Sequence, residues 1–258
     1  MLICDLNVQV ALMARMMTIP YYYMRLHGVR ETDIPHAQIF QGAEWLIAPY
    51  HKEVEREDLP KWIDGKTFYM GSYTGRDLKP YAKPKSPTYR IWVVSWGLLK
   101  RSVDELNALA DALPEYAFIL FGGIKWDGST LKDSITYYGR VEDLHDHLVE
   151  VDAVICTAWN NMIHEIVARG LPAVLIPEQT WFDEQDTHAK ALARHWFVQH
   201  VESWNSHKAI RDALKSIDQL DLTWLHALYD PDALPKTAQY IEQEYERILS
   251  TYQWRQWK

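Results

Sequence analysis

The sequence has few cysteines and no long apolar runs. None of its apolar stretches approaches the ~20 residues that a transmembrane helix needs, so no membrane span is predicted. The two cysteines, Cys4 and Cys156, both lie in apolar, strand-like stretches, which favours buried free thiols in a reducing compartment over a disulfide. The start of the chain also lacks the basic region and apolar core of a signal peptide. We therefore expect a cytoplasmic protein.

An excess of positive charge is missing as well. The formal net charge is −8 at pH 7, which argues against a broad nucleic-acid-binding surface. Hydrophobic residues make up 48% of the 258 positions and charged residues 24%, as in ordinary globular proteins. No internal repeat or low-complexity segment is visible, and the length allows one large domain or two modest ones. This composition fits a soluble enzyme without requiring one.

The most informative segment begins at Val151. An apolar, β-rich run, Ala153–Cys156, is followed by small or cap-forming residues and then by apolar residues at helical spacing. Such a strand–loop–helix unit directs free backbone N–H groups and the positive end of the helix dipole at one point, which suits a phosphate. Glu165 lies about one turn inside the predicted helix, where its carboxylate can accept hydrogen bonds from a ribose. The segment therefore predicts a nucleotide site.

This ordered series resembles the C-terminal domain of MurG-like glycosyltransferases of family 28. The matching positions are Asp152, Val154, Ile155, Ala158, Met162, Ile163, Glu165, Gly170, Leu171, Pro172, Pro177, Gln185 and Ala189. The sequence departs from the family pattern at Trp159, where a glycine is usual, and at His188, where an asparagine is usual. A tryptophan there would either stack on the donor or obstruct it. The resemblance extends upstream from Ile135, and more loosely over most of the chain.

The resemblance implies an α/β protein with the GT-B fold, and a donor site for a nucleotide sugar with UDP as the expected nucleotide. Ser95 and Gly97 stand in a predicted loop where the family holds the donor phosphates, and Val141 stands where main-chain groups contact the uracil. Glu184 and Gln185, at the start of another predicted helix, would contact the sugar. The complete set implied for the donor is Ser95, Gly97, Arg140, Val141, Ala158, Trp159, Asn160, Asn161, Glu165, Glu184 and Gln185.

Each of these residues also has a purely structural interpretation. A glutamate such as Glu165 often only complements the helix dipole. Glu184 and Gln185 are also ordinary first-turn helix residues, and any strand-to-helix turn favours residues such as Ser95 and Gly97. The family frame favours the ligand role of Glu165, and it leaves the sugar contact of Glu184 and Gln185 open.

The first part of the chain is predicted to form part of a second Rossmann-like domain. An apolar strand ends near Asp5, a second covers Tyr21–Met24 behind Pro20, and a third lies within Ala43–Pro49. These strands resemble the latter half of the N-terminal, acceptor-side domain of the family. The first βα units, which in the family contain a Gly-rich acceptor loop and often a catalytic histidine, have no counterpart here. We expect about half of a typical domain of ~100–150 residues to be missing.

Three explanations for this missing half stay open: a start set downstream of the true one, a second polypeptide that completes the cleft, or a degenerate chain. The proline-rich stretch in the middle of the chain is the expected linker. The predicted helix at the C-terminus of the chain resembles the terminal helix that packs back across the domains in GT-B proteins. The expected boundaries are 1–76 for the partial N-terminal domain, 77–88 for the linker, 89–234 for the nucleotide-sugar-binding domain and 235–258 for the terminal helix.

A polar stretch, His27–His36, follows the second predicted strand. By the resemblance, His27, Arg30, Asp33 and His36 line the acceptor side of the cleft, while a plain polar surface loop is an equally open interpretation. The family places its catalytic base in the missing first loops, so the base is unknown here, with His27 and Asp33 as candidates to replace it. No metal site is predicted, because no ligand pair in this stretch has helical i,i+4 spacing.

The activity implied by the resemblance is inverting transfer of a sugar from a UDP-sugar to a hydroxyl of a glycan, a lipid-linked molecule or another acceptor. Helix N-termini rather than a metal would stabilise the leaving diphosphate, and no cofactor is expected. A cell-envelope polysaccharide is the expected product class. The aromatic and basic tail, Trp254–Lys258, is also typical of a membrane-interface segment, so peripheral association with the inner face of the membrane is a further hypothesis, while helix packing or a frayed helix end is the favoured interpretation of these five residues.

Other functions remain as alternatives. The chain could be the donor-binding subunit of a split two-component transferase, with a protein partner that completes the N-terminal domain. It could be a GT-B sugar-nucleotide hydrolase or 2-epimerase, whose chemistry would use additional carboxylates such as Glu178, Asp183 and Glu184. An inactive, truncated remnant is the last alternative.

Overall fold

The computed structural model describes residues 1–75, 78, 80–83, 89–126, 128–142, 144 and 151–255, with the backbone alone for 95–100 and 252–255. The expected linker, 77–88, and the predicted membrane-interface tail, Trp254–Lys258, fall largely outside the described residues. The chain divides into two compact units. The N-terminal unit comprises Met1–Gly75, Trp181–Glu184 and Leu228–Lys258, and the C-terminal unit comprises Arg76–Thr180 and Gln185–Ala227.

The N-terminal unit contains a four-stranded parallel sheet in the order β1-β2-β3-β4. Its strands are β1 (Leu2–Cys4), β2 (Tyr21–Met24), β3 (Trp45–Ala48) and β4 (Thr67–Tyr69). The connecting helices are α1 (Val8–Met16), α2 (Ile34–Gly42) and the short α3 (Lys61–Asp64). The apolar runs that predicted the first three strands are thus confirmed, because side chains on both faces of a parallel sheet are buried.

The two faces of this sheet are covered by different helices. On one face, α1 and α2 pack against the sheet through Ala11, Ala14 and Ile39. The last helix, α9 (Ala233–Arg255), packs on the other face, where Ile248 joins Tyr22 and Ile47. Although α9 has 23 residues, no helix among the described residues is both long and apolar enough to cross a membrane.

The C-terminal unit contains a six-stranded parallel sheet in the order β10-β9-β8-β5-β6-β7. Its strands are β5 (Arg90–Ser102), β6 (Ala117–Lys125), β7 (Ile135–Gly139), β8 (Ala153–Cys156), β9 (Ala173–Leu175) and β10 (Gln199–His200). The helices that follow its strands are α4 (Val103–Ala112), α5 (Asn160–Arg169), α6 (Glu184–Arg194), α7 (His207–Lys215) and α8 (Leu222–Ala227). Counted from β5, the strand order is 6-5-4-1-2-3, which is that of the Rossmann fold.

This strand order locates the ligand site. Ligands of open α/β sheets bind beyond the carboxyl ends of the strands, at the point where the chain order reverses. Here the reversal falls between β5 and β8, which are neighbours in the sheet. The carboxyl end of β8 leads through Thr157 and Ala158 into α5, which is the strand–loop–helix unit that the sequence predicted.

Local signals set the ends of several elements. The hydroxyl of Ser102 accepts a hydrogen bond from the Glu105 backbone N–H, and the Glu105 carboxylate accepts one from the Ser102 N–H, so a capping box starts α4. Gly170 ends α5 with a left-handed φ of 64°. The loop predicted at Ser95–Gly97 is wrong, because β5 continues through Ser102. Shifts in its register with β6, such as that between Val94 and Leu98, let the strand include this glycine.

Both cysteines are buried free thiols, as the sequence predicted. Cys4 ends β1 and Cys156 ends β8, so each side chain lies within an apolar core. Burial raises the pKa of both thiols, which makes them unreactive at neutral pH.

Candidate functional site

The helix that follows β8 begins without a side-chain cap. Trp159 is the N-cap residue of α5, and it makes no side-chain hydrogen bond to the helix. No acidic residue lies in the first turn, which holds the half-buried Asn160 and the exposed Asn161. The first N–H groups of a helix have no intrahelical acceptor, and the helix dipole adds positive potential there. The start of α5 is therefore suited to an anion such as a diphosphate.

Gln185 ties this helix start to the neighbouring loop. Its side chain is fully buried, and its Oε1 accepts hydrogen bonds from the backbone N–H groups of Ala158 and Glu178, each at 3.1 Å. Both partners are donors, so the carboxamide must present its oxygen to them. Its Nε2 is buried and has no hydrogen-bond partner among the described residues. Because buried N–H groups usually have an acceptor, this amino group is suited to a ligand oxygen beside α5.

The other residues of this unit that were predicted to bind the nucleotide sugar lie at the same edge of the sheet. Glu165 is half-buried in the second turn of α5. Arg140 and Val141 directly follow β7, and because the strands are parallel they emerge at the edge where β8 ends. Arg140 is exposed and Val141 is half-buried. The side chains of residues 95–100, which include Ser95 and Gly97, lie outside the described residues, so their predicted phosphate contact stays a prediction.

Glu184 is engaged by a residue from the first part of the chain. Its carboxylate forms an ion pair with Arg30 in the N-terminal unit, and each of the two side chains is only 12% exposed. Burial raises the pKa of Glu184, although the charge of Arg30 acts in the opposite direction. The predicted sugar contact of Glu184 stays a prediction. A sugar hydroxyl that bound this carboxylate would have to compete with the ion pair to Arg30.

The stretch His27–His36 is not the plain surface loop that was one interpretation of its sequence. His27 is fully buried and stacks on Tyr50, with ring centres 3.8 Å apart. His36 is buried within α2, and the carboxylate of Asp33 caps that helix by accepting hydrogen bonds from the backbone N–H of His36 and from its Nδ1 at 2.7 Å. The hydrogen bond from the His36 ring holds the pKa of Asp33 below its usual range. Polar residue types suggested exposure, but tertiary contacts bury them.

A buried polar network at the carboxyl edge of the N-terminal sheet was missed from the sequence. Oε2 of Glu55 pairs with Arg25 and accepts hydrogen bonds from the hydroxyls of Tyr50 at 2.9 Å and Tyr69 at 3.2 Å. Oε1 accepts one from the backbone N–H of Arg56 at 3.0 Å. Arg25, Tyr50 and Tyr69 follow or end β2, β3 and β4, so the signal that could have revealed the network was a polar residue at each strand end.

Metal-ligating side chains are not clustered in the part of the chain that the structure describes. No group of three or more His, Cys, Asp or Glu residues there is placed to hold a metal ion.

Comparison with solved structures identifies the class of this fold. Spinosyn rhamnosyltransferase SpnG, complexed with thymidine diphosphate, is similar with a TM-score of 0.63 and 16% identity over 92% of this chain and 72% of that chain. MurG of Acinetobacter baumannii is similar with a TM-score of 0.60 and 16% identity over 90% of this chain and 69% of that chain. The calicheamicin glycosyltransferase CalG4 is similar with a TM-score of 0.62 and 14% identity over 96% of this chain and 74% of that chain. The architecture is therefore that of GT-B glycosyltransferases.

A match to a family model gives a narrower assignment than the fold alone. Residues 123–220 match the family model described as "Glycosyltransferase family 28 C-terminal domain". The chain thus carries a family 28 C-terminal domain, as the series from Asp152 to Ala189 predicted, and the protein is a glycosyltransferase. Comparison with curated protein sequences finds no match.

Proposed function

We propose that the protein transfers a sugar from a nucleotide-sugar donor, with UDP as the nucleotide, to a hydroxyl acceptor with inversion. The observation that supports this proposal best is the start of α5. This helix begins without a side-chain cap at the Rossmann reversal point, and the free Nε2 of Gln185 is anchored beside it. A nucleoside diphosphate bound to the similar SpnG supports a donor of this class.

The residues of the C-terminal unit have separate roles in this proposal. The N–H groups of Asn160 and its neighbours at the start of α5 bind the diphosphate, and Glu165 accepts hydrogen bonds from the ribose hydroxyls. Main-chain groups near Val141 contact the base. Gln185 donates from Nε2 to an oxygen of the donor, while its Oε1 keeps the two loops in place.

The reaction follows from these roles. The acceptor oxygen forms a bond to the anomeric carbon as the bond from that carbon to the diphosphate breaks, and the acceptor proton passes to a base. The electron pair leaves with the diphosphate, whose added charge is stabilised by N–H groups at the start of α5. Neither metal nor cofactor is part of this proposal. The base is unassigned, because His27 is buried against Tyr50 and Asp33 caps α2.

Calorimetric titration of the purified chain with UDP, TDP and GDP tests the donor site. We expect micromolar UDP binding that Glu165→Ala weakens at least tenfold, or about 1.4 kcal/mol. Glu242→Ala, which changes an exposed glutamate of α9, is the control and should bind UDP like the original protein. If TDP bound more tightly than UDP, the nucleotide assigned in this proposal would be TDP. A folded protein that binds none of the three would contradict the proposal.

The face of α1 favours a second function, the donor-binding subunit of a split transferase. β1 is an edge strand of its sheet, and α1 with its C-cap residue exposes the apolar side chains of Val10, Met13 and Met17 at 3-4 spacing. Such a stripe is typical of a protein interface. In this version, a second polypeptide adds a parallel strand next to β1 and packs a helix on the stripe. Sugar transfer by the isolated chain would exclude this candidate, whereas UDP binding without transfer favours it.

The location and the acceptor are further parts of the proposal. Free cysteines support a reducing compartment, so we place the enzyme in the cytoplasm, at the inner face of a membrane where cell-envelope polysaccharide is made. Sedimentation with anionic lipid vesicles, with and without the tail Trp254–Lys258, tests the membrane association. Equal recovery of both forms in the supernatant would contradict it.

A further inference from the structure

A cavity of about 1030 Å³ lies within the C-terminal unit, away from the start of α5. Four of the residues that line it directly precede strands of the six-stranded sheet, namely Tyr89, Tyr116, Asp152 and Pro172. Because these strands are parallel, the cavity lies at the amino edge of the sheet. The candidate donor site lies at the carboxyl edge. The two are therefore separated by the length of the strands, which is on the order of 13 Å for the short β8.

The wall of this cavity is largely apolar and aromatic. The buried side chains of Ile91, Leu214 and Leu220 form part of it. The rings of Tyr89 and Tyr116 meet edge-on, with centres 6.3 Å apart, and Tyr89 is 54% exposed. Small-molecule sites have volumes of ~300–1,000 Å³ and are lined mainly by such side chains. The cavity is therefore large enough for a small molecule, and the exposed ring of Tyr89 offers it a flat surface.

The segment before β5 that contributes to this wall is held in place by contacts within the unit. The backbone N–H of Tyr81 donates to the carbonyl oxygen of Arg169 at 2.6 Å, and its hydroxyl donates to that of Val151 at 3.2 Å. Lys83 forms an ion pair with Asp218 at 2.6 Å. These contacts join the segment to the end of α5, the start of β8 and the turn after α7. Since the wall is already held, a ligand has to order little of it on binding.

The charged side chains that line the cavity favour an anionic group on the ligand. The ammonium of Lys83 is paired with Asp218. The carboxylate of Asp152 already accepts a hydrogen bond from the backbone N–H of Arg90 at 2.9 Å. Lys215, the exposed last residue of α7, makes no ion pair with any other residue that the structure describes. Its ammonium is therefore the charge that a ligand in this cavity would meet.

We propose that this cavity is a second ligand site, which binds a small aromatic anion whose flat body stacks on Tyr89 and whose anionic group pairs with Lys215. Paired rings attract each other beyond the effect of the area that they bury. An ion pair with an exposed ammonium adds a smaller contribution. The inference does not rest on the proposed function, because the cavity lies at the opposite edge of the sheet from the donor site.

Fluorescence titration of the full chain with anilinonaphthalene sulfonate tests this site, because this aromatic sulfonate becomes fluorescent when it leaves water. We expect one probe per chain with micromolar affinity, and saturating UDP should not displace it. Tyr89→Ala should weaken the binding about fivefold. Displacement by UDP would overturn the proposal, because the probe would then occupy the nucleotide site. Absence of binding by the folded protein would overturn it as well.

A second tyrosine provides the matched control. Tyr137 on β7 is 39% exposed and does not line the cavity, so Tyr137→Ala should bind the probe like the original protein. Circular dichroism checks that both alanine variants are folded. Equal losses of affinity in Tyr89→Ala and Tyr137→Ala would overturn the proposal, since the probe would then report exposed aromatic surface in general.

The role of Lys215 is tested with a neutral form of the probe. Lys215→Gln should weaken binding of the sulfonate about threefold and leave binding of neutral phenylnaphthylamine unchanged. Lys208→Gln, at an exposed position in the first turn of α7, is the control and should affect neither ligand. A loss for both ligands in Lys215→Gln, or for neither, would overturn the assignment of an anionic group.

Competition experiments test the aromatic class of the ligand. Dodecanoate has the same charge as naphthalene sulfonate, but its flexible chain loses rotational freedom on binding and cannot stack on Tyr89. Dodecanoate should therefore displace the probe only at concentrations about tenfold higher than those of naphthalene sulfonate. Displacement by both compounds at equal concentrations would overturn the assignment to an aromatic ligand.

Discussion

The side-chain oxygen of Gln185 accepts a hydrogen bond from the backbone N–H of Ala158 at 3.1 Å. Through this bond, a residue at the start of α6 holds the loop between β8 and α5. The second bond, from the N–H of Glu178, adds the loop that follows β9. A single carboxamide therefore sets the geometry of two loops at the carboxyl edge of the sheet, which is where a Rossmann domain binds its nucleotide.

Replacing Gln185 with leucine should destabilise the protein. The change leaves the buried backbone N–H of Ala158 and the partly buried N–H of Glu178 without this acceptor, and a buried donor without an acceptor costs about 1–3 kcal/mol. We expect a total loss of about 2–4 kcal/mol in the free energy of unfolding measured in urea. Gln179→Leu, at an exposed position in the same loop, is the control and should change stability by less than about 0.5 kcal/mol. Similar losses in both variants would contradict this role.

The elements of the fold were predictable because their signals are local. The apolar runs at Tyr21–Met24 and Ala153–Cys156 coincide with β2 and β8, and Ser102 with Glu105 marked the start of α4. These signals depend on neighbours a few residues apart, which a sequence shows directly. The strand order within each sheet is not a local property, and the family resemblance predicted only the GT-B class with Rossmann-like sheets.

The contacts of the candidate site were much less predictable. Arg30 and Glu184 are 154 positions apart, and nothing in either local sequence indicates that they pair. A surface loop was one of two open interpretations of the polar stretch after β2, whereas His27 is buried against Tyr50. Burial of polar residues depends on partners from other elements, so residue type alone misleads in such places.

Gly28→Ala should be strongly destabilising, because alanine meets both a backbone clash and an unfavourable φ. The added Cβ would lie 2.5 Å from the Phe182 oxygen at a φ of 106°. We expect a loss of about 2–4 kcal/mol in the free energy of unfolding. Gly75→Ala is the matched control, since a Cβ there meets nothing within 4 Å. Chemical denaturation of both variants decides the matter, and a loss at Gly75 as large as that at Gly28 would refute the explanation.

The capping box at the start of α4 should contribute a pH-dependent term. Partial burial alone would raise the pKa of Glu105, but hydrogen bonds from the Ser102 backbone and from Arg101 hold this pKa below its usual range. A lowered folded-state pKa means that the stabilisation is present above the unfolded-state pKa and is lost as the pH falls through the folded-state value.

Two substitutions separate the parts of this capping box. Ser102→Ala should cost about 1 kcal/mol at neutral pH. Glu105→Gln should also be destabilising at pH 7, and its difference from the original protein should shrink as the pH falls towards 3. Urea unfolding at both pH values measures the difference. A constant difference across this range would show that the ionised carboxylate of Glu105 does not stabilise α4.

His164 should make the C-terminal unit sensitive to mild acid. It lies on α5, and burial lowers its pKa from 6.5 to about 4. The unfolded chain binds a proton as the pH falls below 6.5, whereas the folded protein resists protonation until about pH 4, so stability is lost over this window. A shift of this size corresponds to about 3 kcal/mol.

A neutral replacement isolates this effect from the other groups that titrate in acid. His164→Asn removes the titratable group, so its free energy of unfolding should fall less steeply than that of the original protein between pH 6.5 and pH 4. The two curves are compared by urea unfolding at half-unit steps of pH. Parallel curves for His164→Asn and the original protein would show that His164 takes up its proton without opening the core. The free-energy cost of protonating the buried imidazole in the folded protein would then be close to zero. The acid sensitivity of the C-terminal unit would in that case have to come from its carboxylates.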